Sequence, residues 1–223
     1  MQGKSAPLSF GSIKVRPPLI SKGQRIGVMG GTFNPPHAGH ALISRTALRR
    51  LNLDQLWWVV TPGNPLKLNN GLPPAADRMA MCRLLAGDRR MRVTAFEEAL
   101  QTPFTAATLA FLVRRYPEVN FIWIMGADNL ASFHRWQQWR DIAASVPIAV
   151  VDRPGWRLRA LASPAAHYLR GRYVPESMAG RLTLMKPPAW TFLTGPLSRL
   201  SSTELRRAAR DIKVANCAAR KKG

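Results

Sequence analysis

Residues 25–40 read RIGVMGGTFNPPHAGH, from Arg25 to His40. Arg25 to Met29 is a short apolar run followed at once by Gly30 and Gly31, the pattern of a buried strand that ends in a tight turn. Two glycines at a strand end let the backbone come close to a phosphate. Gly39 then leads the chain into a helix near His40, where free amide groups and the positive end of the helix dipole favour an anion. His37 and His40 are three residues apart, so both can face one phosphate and supply imidazole N–H donors. A strand, a glycine pair and a helix are common in that order, and two of the chain's four histidines could simply be surface or capping residues. All of these features within eleven residues make a specific signal.

Working outward, Leu42, Ile43, Ala47, Leu48 and Leu51 fall on one face of the helix after His40. Leu56–Val60 is a second buried strand, stopped by Thr61-Pro62-Gly63. A helix is expected over Ala75–Ala86, a strand over Met91–Phe96 and a helix over Ala106–Tyr116, closed by Pro117. Phe121–Met125 and Ile148–Val151 are further apolar strands, ending at Gly126 and at Asp152-Arg153-Pro154-Gly155. Strands that are almost wholly apolar and alternate with helices describe an α/β fold with a parallel sheet covered on both faces. Ligands bind such sheets beyond the carboxyl ends of the strands, which is where the polar and glycine-rich segments cluster. Trp156–Gly180 has weak periodicity and is expected to be a mobile excursion.

The 223 residues suit one domain, placed at 25–212, with a flexible basic tail over 1–24 and a second basic tail over 213–223. Hydrophobic residues make up 46% of the chain, enough for a packed core. No apolar stretch reaches the ~18 residues of a membrane span, and the first twenty residues lack the apolar core of a secretory signal. Cys82 and Cys217 are remote in sequence and form neither a disulfide framework nor a metal pattern, so a cytoplasmic setting is expected. The net charge of +21 creates a field that attracts polyanions. Its arginine clusters are dispersed, and most of them read as solvated faces.

Near the C-terminus, Leu200-Ser201-Ser202-Thr203-Glu204-Leu205-Arg206 reads as a capped helix start. Together with Thr32 to His40, it resembles the two signatures of the nucleotidyltransferase superfamily with the HxGH motif. The chain is most similar to the nicotinate-nucleotide adenylyltransferases of bacterial NAD synthesis, from about Arg25 to Arg207. The resemblance also rests on Pro62-Gly63-Asn64-Pro65-Leu66-Lys67, Asp77-Arg78, Pro103-Phe104-Thr105, Gly126-Ala127-Asp128-Asn129, Phe133-His134-Arg135-Trp136 and Arg153-Pro154-Gly155, all in family order.

The resemblance implies a Rossmann-like nucleotidyltransferase fold that moves AMP from ATP onto nicotinate mononucleotide, with Mg²⁺ arriving on ATP. It implies that Gly30, Gly31, Thr32 and Phe33 line the nucleotide site. His37 and His40, with Lys67, would contact the ATP phosphates, and Asp128 the ribose. Arg153, Pro154, Gly155, Ser201, Ser202, Thr203 and Arg206 would close over ATP, and Thr105 and Trp136 would flank the pyridine ring. Two departures stand out. Asn34 replaces the family's aspartate, and the residues after Arg210 lack the usual apolar tail helix. The alternatives are a sister enzyme acting on nicotinamide mononucleotide, phosphopantetheine or a polyol phosphate, and, more distantly, a basic RNA-binding protein. No RNA-recognition motif is visible, and neither a membrane nor a specific nucleic acid is expected as a partner.

Overall fold

A computed structural model of the chain describes residues 17–63, 71–100, 104–196, 198, 200 and 202–207. Six parallel strands form one sheet in the order β3-β2-β1-β4-β5-β6: β1 Arg25–Gly31, β2 Gln55–Val60, β3 Met91–Thr94, β4 Asn120–Gly126, β5 Ile148–Val151 and β6 Trp190–Leu193. Successive side chains of a strand point to opposite faces, and the sheet carries two cores accordingly. Ile26, Val28, Trp57, Trp123 and Val150 pack on one face against α4 (Thr105–Arg115), α5 (Ala127–Ser132) and α6 (Trp139–Ser145). Leu56, Trp58, Ile122, Ile124 and Ala149 pack on the other against α1 (Ala38–Arg50) and α2 (Ala75–Leu85). Strand order reverses between β1 and β4, which opens a crevice beyond their carboxyl ends. Gly30 at the end of β1 borders it, because a Cβ there would lie 2.8 Å from the Trp123 ring on β4.

The α/β sheet with helices on both faces is as the sequence implies. Four parts differ in detail. α1 begins two residues earlier than expected, because His37 caps it. A short helix, α3 (Phe96–Leu100), follows β3 where the strand was expected to continue. The segment expected to be a mobile excursion is packed: α7 (Arg157–Leu161), α8 (Pro164–Tyr168) and the 3₁₀ turns Arg170–Arg172 and Glu176–Leu184 bury Ala160, Ala165, Ala166, Leu169, Ala179 and Leu182. Residues 17–24, read from sequence as part of the tail, lie against the sheet. Ile20 packs on the core, the Leu19 carbonyl accepts from Gln55 Nε2, and Lys22 pairs with Glu118.

Candidate active site

A cavity of about 430 Å³ opens at the crevice between β1 and β4. Its wall on the β1 side is the turn from Gly30 to His40. His37 has extended backbone angles and caps α1, its Nδ1 accepting the Gly39 N–H at 3.1 Å. His40 reaches back in turn, and its Nδ1 accepts the His37 N–H at 3.2 Å. This is a reciprocal capping box made from two imidazoles, with ring centroids 3.9 Å apart. Gly39 is required between them, since a Cβ there would meet His37 Nδ1 at 2.8 Å.

The cap fixes the chemistry of both rings. With Nδ1 accepting, a neutral imidazole carries its proton on Nε2, so each histidine offers one N–H donor on the side away from the cap. Burial, then the Arg153 charge, lowers the His37 pKa to about 4. Burial, then His37 and Arg153, lowers that of His40 to about 3. Both rings are neutral donors near pH 7.

Phe33 occupies the left-handed region (φ 45), which is uncommon for a bulky residue. Its ring is buried, stacks on Trp58 at 5.1 Å and lies 4.9 Å from the His40 ring. Trp58 Nε1–H donates to Ser44 Oγ at 2.6 Å, and Ser44 donates to the His40 carbonyl at 2.9 Å. The His40 backbone is thereby tied to the sheet.

Opposite stand the ends of β4 and β5. Asp128, in the first turn of α5, accepts from Arg153 Nη1 at 3.2 Å, while Arg153 Nη2 donates to the Leu200 carbonyl at 2.8 Å. Asp152 is buried and accepts from the Arg153 N–H at 2.8 Å and from the Arg157 guanidinium, which fixes the turn that carries Arg153. Residues 202–207 are helical and lie over the β1 turn. Ser202 Oγ donates to the Pro35 carbonyl at 2.9 Å, and Arg206 donates to the Asn34 carbonyl and, at 3.3 Å, to Thr203 Oγ1.

The far wall comes from the start of α4 and from the 3₁₀ turn Phe133–Arg135. Trp136 is half-buried, edge-on to Trp123 at 6.2 Å and to Phe133 at 5.4 Å. Trp139 is buried against Phe133 and belongs to the core, as expected from sequence. Beneath the start of α4, Glu97 is buried and accepts the Thr108 hydroxyl at 2.5 Å; burial pushes its carboxyl up to about 7.

Of the residues singled out from sequence, the cavity wall brings together Gly30, Gly31, Thr32, Phe33, His37, His40, Thr105, Asp128, Trp136, Arg153, Ser202, Thr203 and Arg206. Pro154 and Gly155 follow Arg153 in its turn and are not part of the wall. Lys67 and Ser201 lie outside the described residues. Sequence reasoning gave no role to Met125, Arg135 or Thr61, which also line the cavity, nor to the buried Arg78 behind it. Thr61 was legible as the residue at the end of β2; Arg78 carried no local signal beyond its place in a family motif.

Residues 28–208 match the family described as cytidylyltransferase-like. The chain is 57% identical over 183 residues to a protein of Rhizobium meliloti named probable nicotinate-nucleotide adenylyltransferase, covering 82% of this chain and 97% of the relative. It is 53% identical over 182 residues to a protein of the same name from Brucella abortus, covering 82% and 94%. Among solved structures, the Plasmodium falciparum nicotinic acid mononucleotide adenylyltransferase complexed with NaAD shares the fold with a TM-score of 0.62 at 16% identity, over 82% of this chain and 83% of that one.

Proposed function

Because the chain belongs to the nicotinate-nucleotide adenylyltransferases of the cytidylyltransferase-like family, we propose that its cavity joins the AMP part of ATP to nicotinate mononucleotide, yielding deamido-NAD and pyrophosphate. The observation that carries this reading is the convergence on one cavity of the two-histidine cap, the helix at 202–207 and Trp136. A phosphate oxygen of the mononucleotide forms a bond to the α-phosphorus of ATP. The bond from that phosphorus to the bridging oxygen breaks, and its electron pair leaves with pyrophosphate. The attacking phosphate is anionic near neutral pH, so no protein base is needed, and imidazoles with pKa values of about 3 and 4 would serve poorly as one. The protein's task is to hold two polyanions in line and offset the charge that builds on the phosphates.

In this reading His37 and His40 donate from Nε2 to phosphate oxygens, and Lys67 and Arg206 add positive charge. Ser201, Ser202 and Thr203 hold the leaving end. Gly30, Gly31, Thr32 and Phe33 allow the nucleotide to approach closely, and Asp128 takes the ribose. Arg153, with Pro154 and Gly155 in its turn, closes over ATP. Thr105 and Trp136 flank the pyridine ring, whose carboxylate pairs with backbone amides at the start of α4.

Among the described residues, Asp128 is the one carboxylate in the cavity wall and no group of three metal-ligating side chains occurs. That donor set fits Mg²⁺ carried on the oxygens of ATP better than an ion caged by protein. When bound, Mg²⁺ neutralises triphosphate charge. No helix of the described residues is long and apolar enough to cross a membrane. We place the enzyme in the cytoplasm on its cysteine usage, with its catalytic domain at 25–212, residues 17–24 packed against it, and basic tails on either side. Pyrophosphate release with ATP and each candidate acceptor tests the substrate assignment. Nicotinate mononucleotide is expected to exceed nicotinamide mononucleotide at least about tenfold in kcat/KM, because a carboxamide NH₂ donates where the site needs an acceptor. Equal efficiencies would reassign the chain to dual specificity, and turnover of phosphopantetheine alone would reject the acceptor.

A further inference from the structure

Arg78, on α2, is 2% exposed, and among the described residues no carboxylate forms an ion pair with it. Its guanidinium is spent on backbone. Nε donates to the Pro73 carbonyl at 2.9 Å, and Nη1 donates to the carbonyls of Thr32 and Thr61, both at 2.8 Å. These carbonyls belong to three separate segments: the start of α2, the turn after β1 and the turn after β2. Thr32 and Thr61 both line the cavity. A buried guanidinium is costly to desolvate unless its donors are satisfied. A planar fork on three loops is a geometry that a flexible ammonium does not reproduce.

We propose that Arg78 is a positioning residue for ATP: it holds the turns after β1 and β2 in the register that the triphosphate requires. Within the trans peptide joining Thr32 to Phe33, the C=O and N–H point in opposite directions. Holding the Thr32 carbonyl against the guanidinium therefore directs the Phe33 N–H away from Arg78. It also holds the residue whose backbone is in the left-handed region. Thr61 N–H donates to the Gly31 carbonyl at 3.0 Å, so the two strand ends are already joined, and Arg78 locks that junction onto α2. The buried positive charge lies behind the same wall and adds to the potential felt by an anion in the cavity. Arg78 is not part of the cavity wall and acts through Thr32 and Thr61, which are.

The inference rests on the nucleotide reading above, and direct binding separates the two. A non-hydrolysable ATP analogue and, separately, nicotinate mononucleotide are titrated calorimetrically into the wild-type protein, Arg78→Lys and Arg78→Gln, with melting temperatures measured alongside. The lysine keeps the charge and loses the fork; the glutamine keeps a donor and loses the charge. The expected result is a Kd for the analogue raised at least fivefold in both variants, with the Kd for the mononucleotide raised less than threefold. A change of less than fivefold for the analogue, or equal weakening of both ligands, overturns the proposal, even if the melting temperature falls. Failure of both variants to fold overturns it too, because Arg78 would then serve the fold as a whole. A wild-type protein that binds no analogue overturns the nucleotide reading itself, a result distinct from variants that bind as well as wild type.

Discussion

Nδ1 of His40 accepts the His37 N–H, which leaves Nε2 as the position of the ring proton in a neutral imidazole. One side chain thus serves the helix through one nitrogen and the cavity through the other. A substitution can separate the two. Glutamine is a usual partner at the third position of a capping box, so His40→Gln can keep the bond to His37 while losing the fixed Nε2–H. Its stability should fall by no more than ~1 kcal/mol, the scale of a helix cap, while kcat falls on the order of a hundredfold, the scale of one lost preorganised donor. Denaturant unfolding and steady-state kinetics on the same preparation check both halves; kcat within about threefold of wild type would remove His40 from the phosphate site. The neighbouring residues Gly30, Thr32, Phe33 and His37 were legible in sequence because eleven consecutive residues build that wall. Arg78 was not legible in the same way, since its partners at 32, 61 and 73 come together only when β1, β2 and α2 have packed.

At the scale of elements, buried titratable groups at the start of α1 and on α3 oppose one another in their effect on stability. His37 and His40 have folded pKa values of about 4 and 3, below the ordinary 6.5, so below pH 6.5 the unfolded chain binds protons that the folded chain refuses. Their contribution is present above pH 6.5 and is lost on acidification. Glu97 runs the other way: its carboxyl is raised from 4.5 to about 7, so the folded chain keeps a proton that the unfolded chain has released between those values. Its burial therefore costs stability as pH rises through that window, and the full cost stands above about pH 7. Between about pH 4.5 and 6.5 the three groups together leave one net proton on the unfolded side, so stability falls as pH drops through that window. Glu97→Gln should roughly double that slope, read from urea unfolding at a series of pH values, and gain stability relative to wild type as pH rises from about 4.5 to 7, a gain that levels off above that. Identical pH slopes for the two proteins would contradict the assignment. Elements of this fold were legible where they were long: β1, β2, β4 and α4 each carry a full period of apolar residues. β6 (WTFL) carries a threonine in its short apolar run and was missed, as were α7 and α8, because five residues show no helical period. Small residues such as Ala160 and Ala165 fill the core there, where bulkier side chains would have left a clearer pattern.

Over the whole molecule, 33 lysines and arginines face 12 acidic residues. Some of the acids are engaged close to the cavity, with Asp152 held by Arg157 and Asp128 by Arg153. The resulting positive field favours encounter with nucleotides, and the crevice at the strand-order reversal gives them one place to converge. In the proposed reaction this cavity breaks ATP between its α- and β-phosphates and transfers the α-phosphate with its nucleoside to the mononucleotide. The most direct measurement follows radiolabel from ATP tagged at the α-phosphate or, in a parallel reaction, at the γ-phosphate, with nicotinate mononucleotide and Mg²⁺ present. The α-label is expected in the dinucleotide and the γ-label in pyrophosphate, in equal amounts. Label from the γ-phosphate on the acceptor, or α-label released only as free AMP, would contradict that reaction.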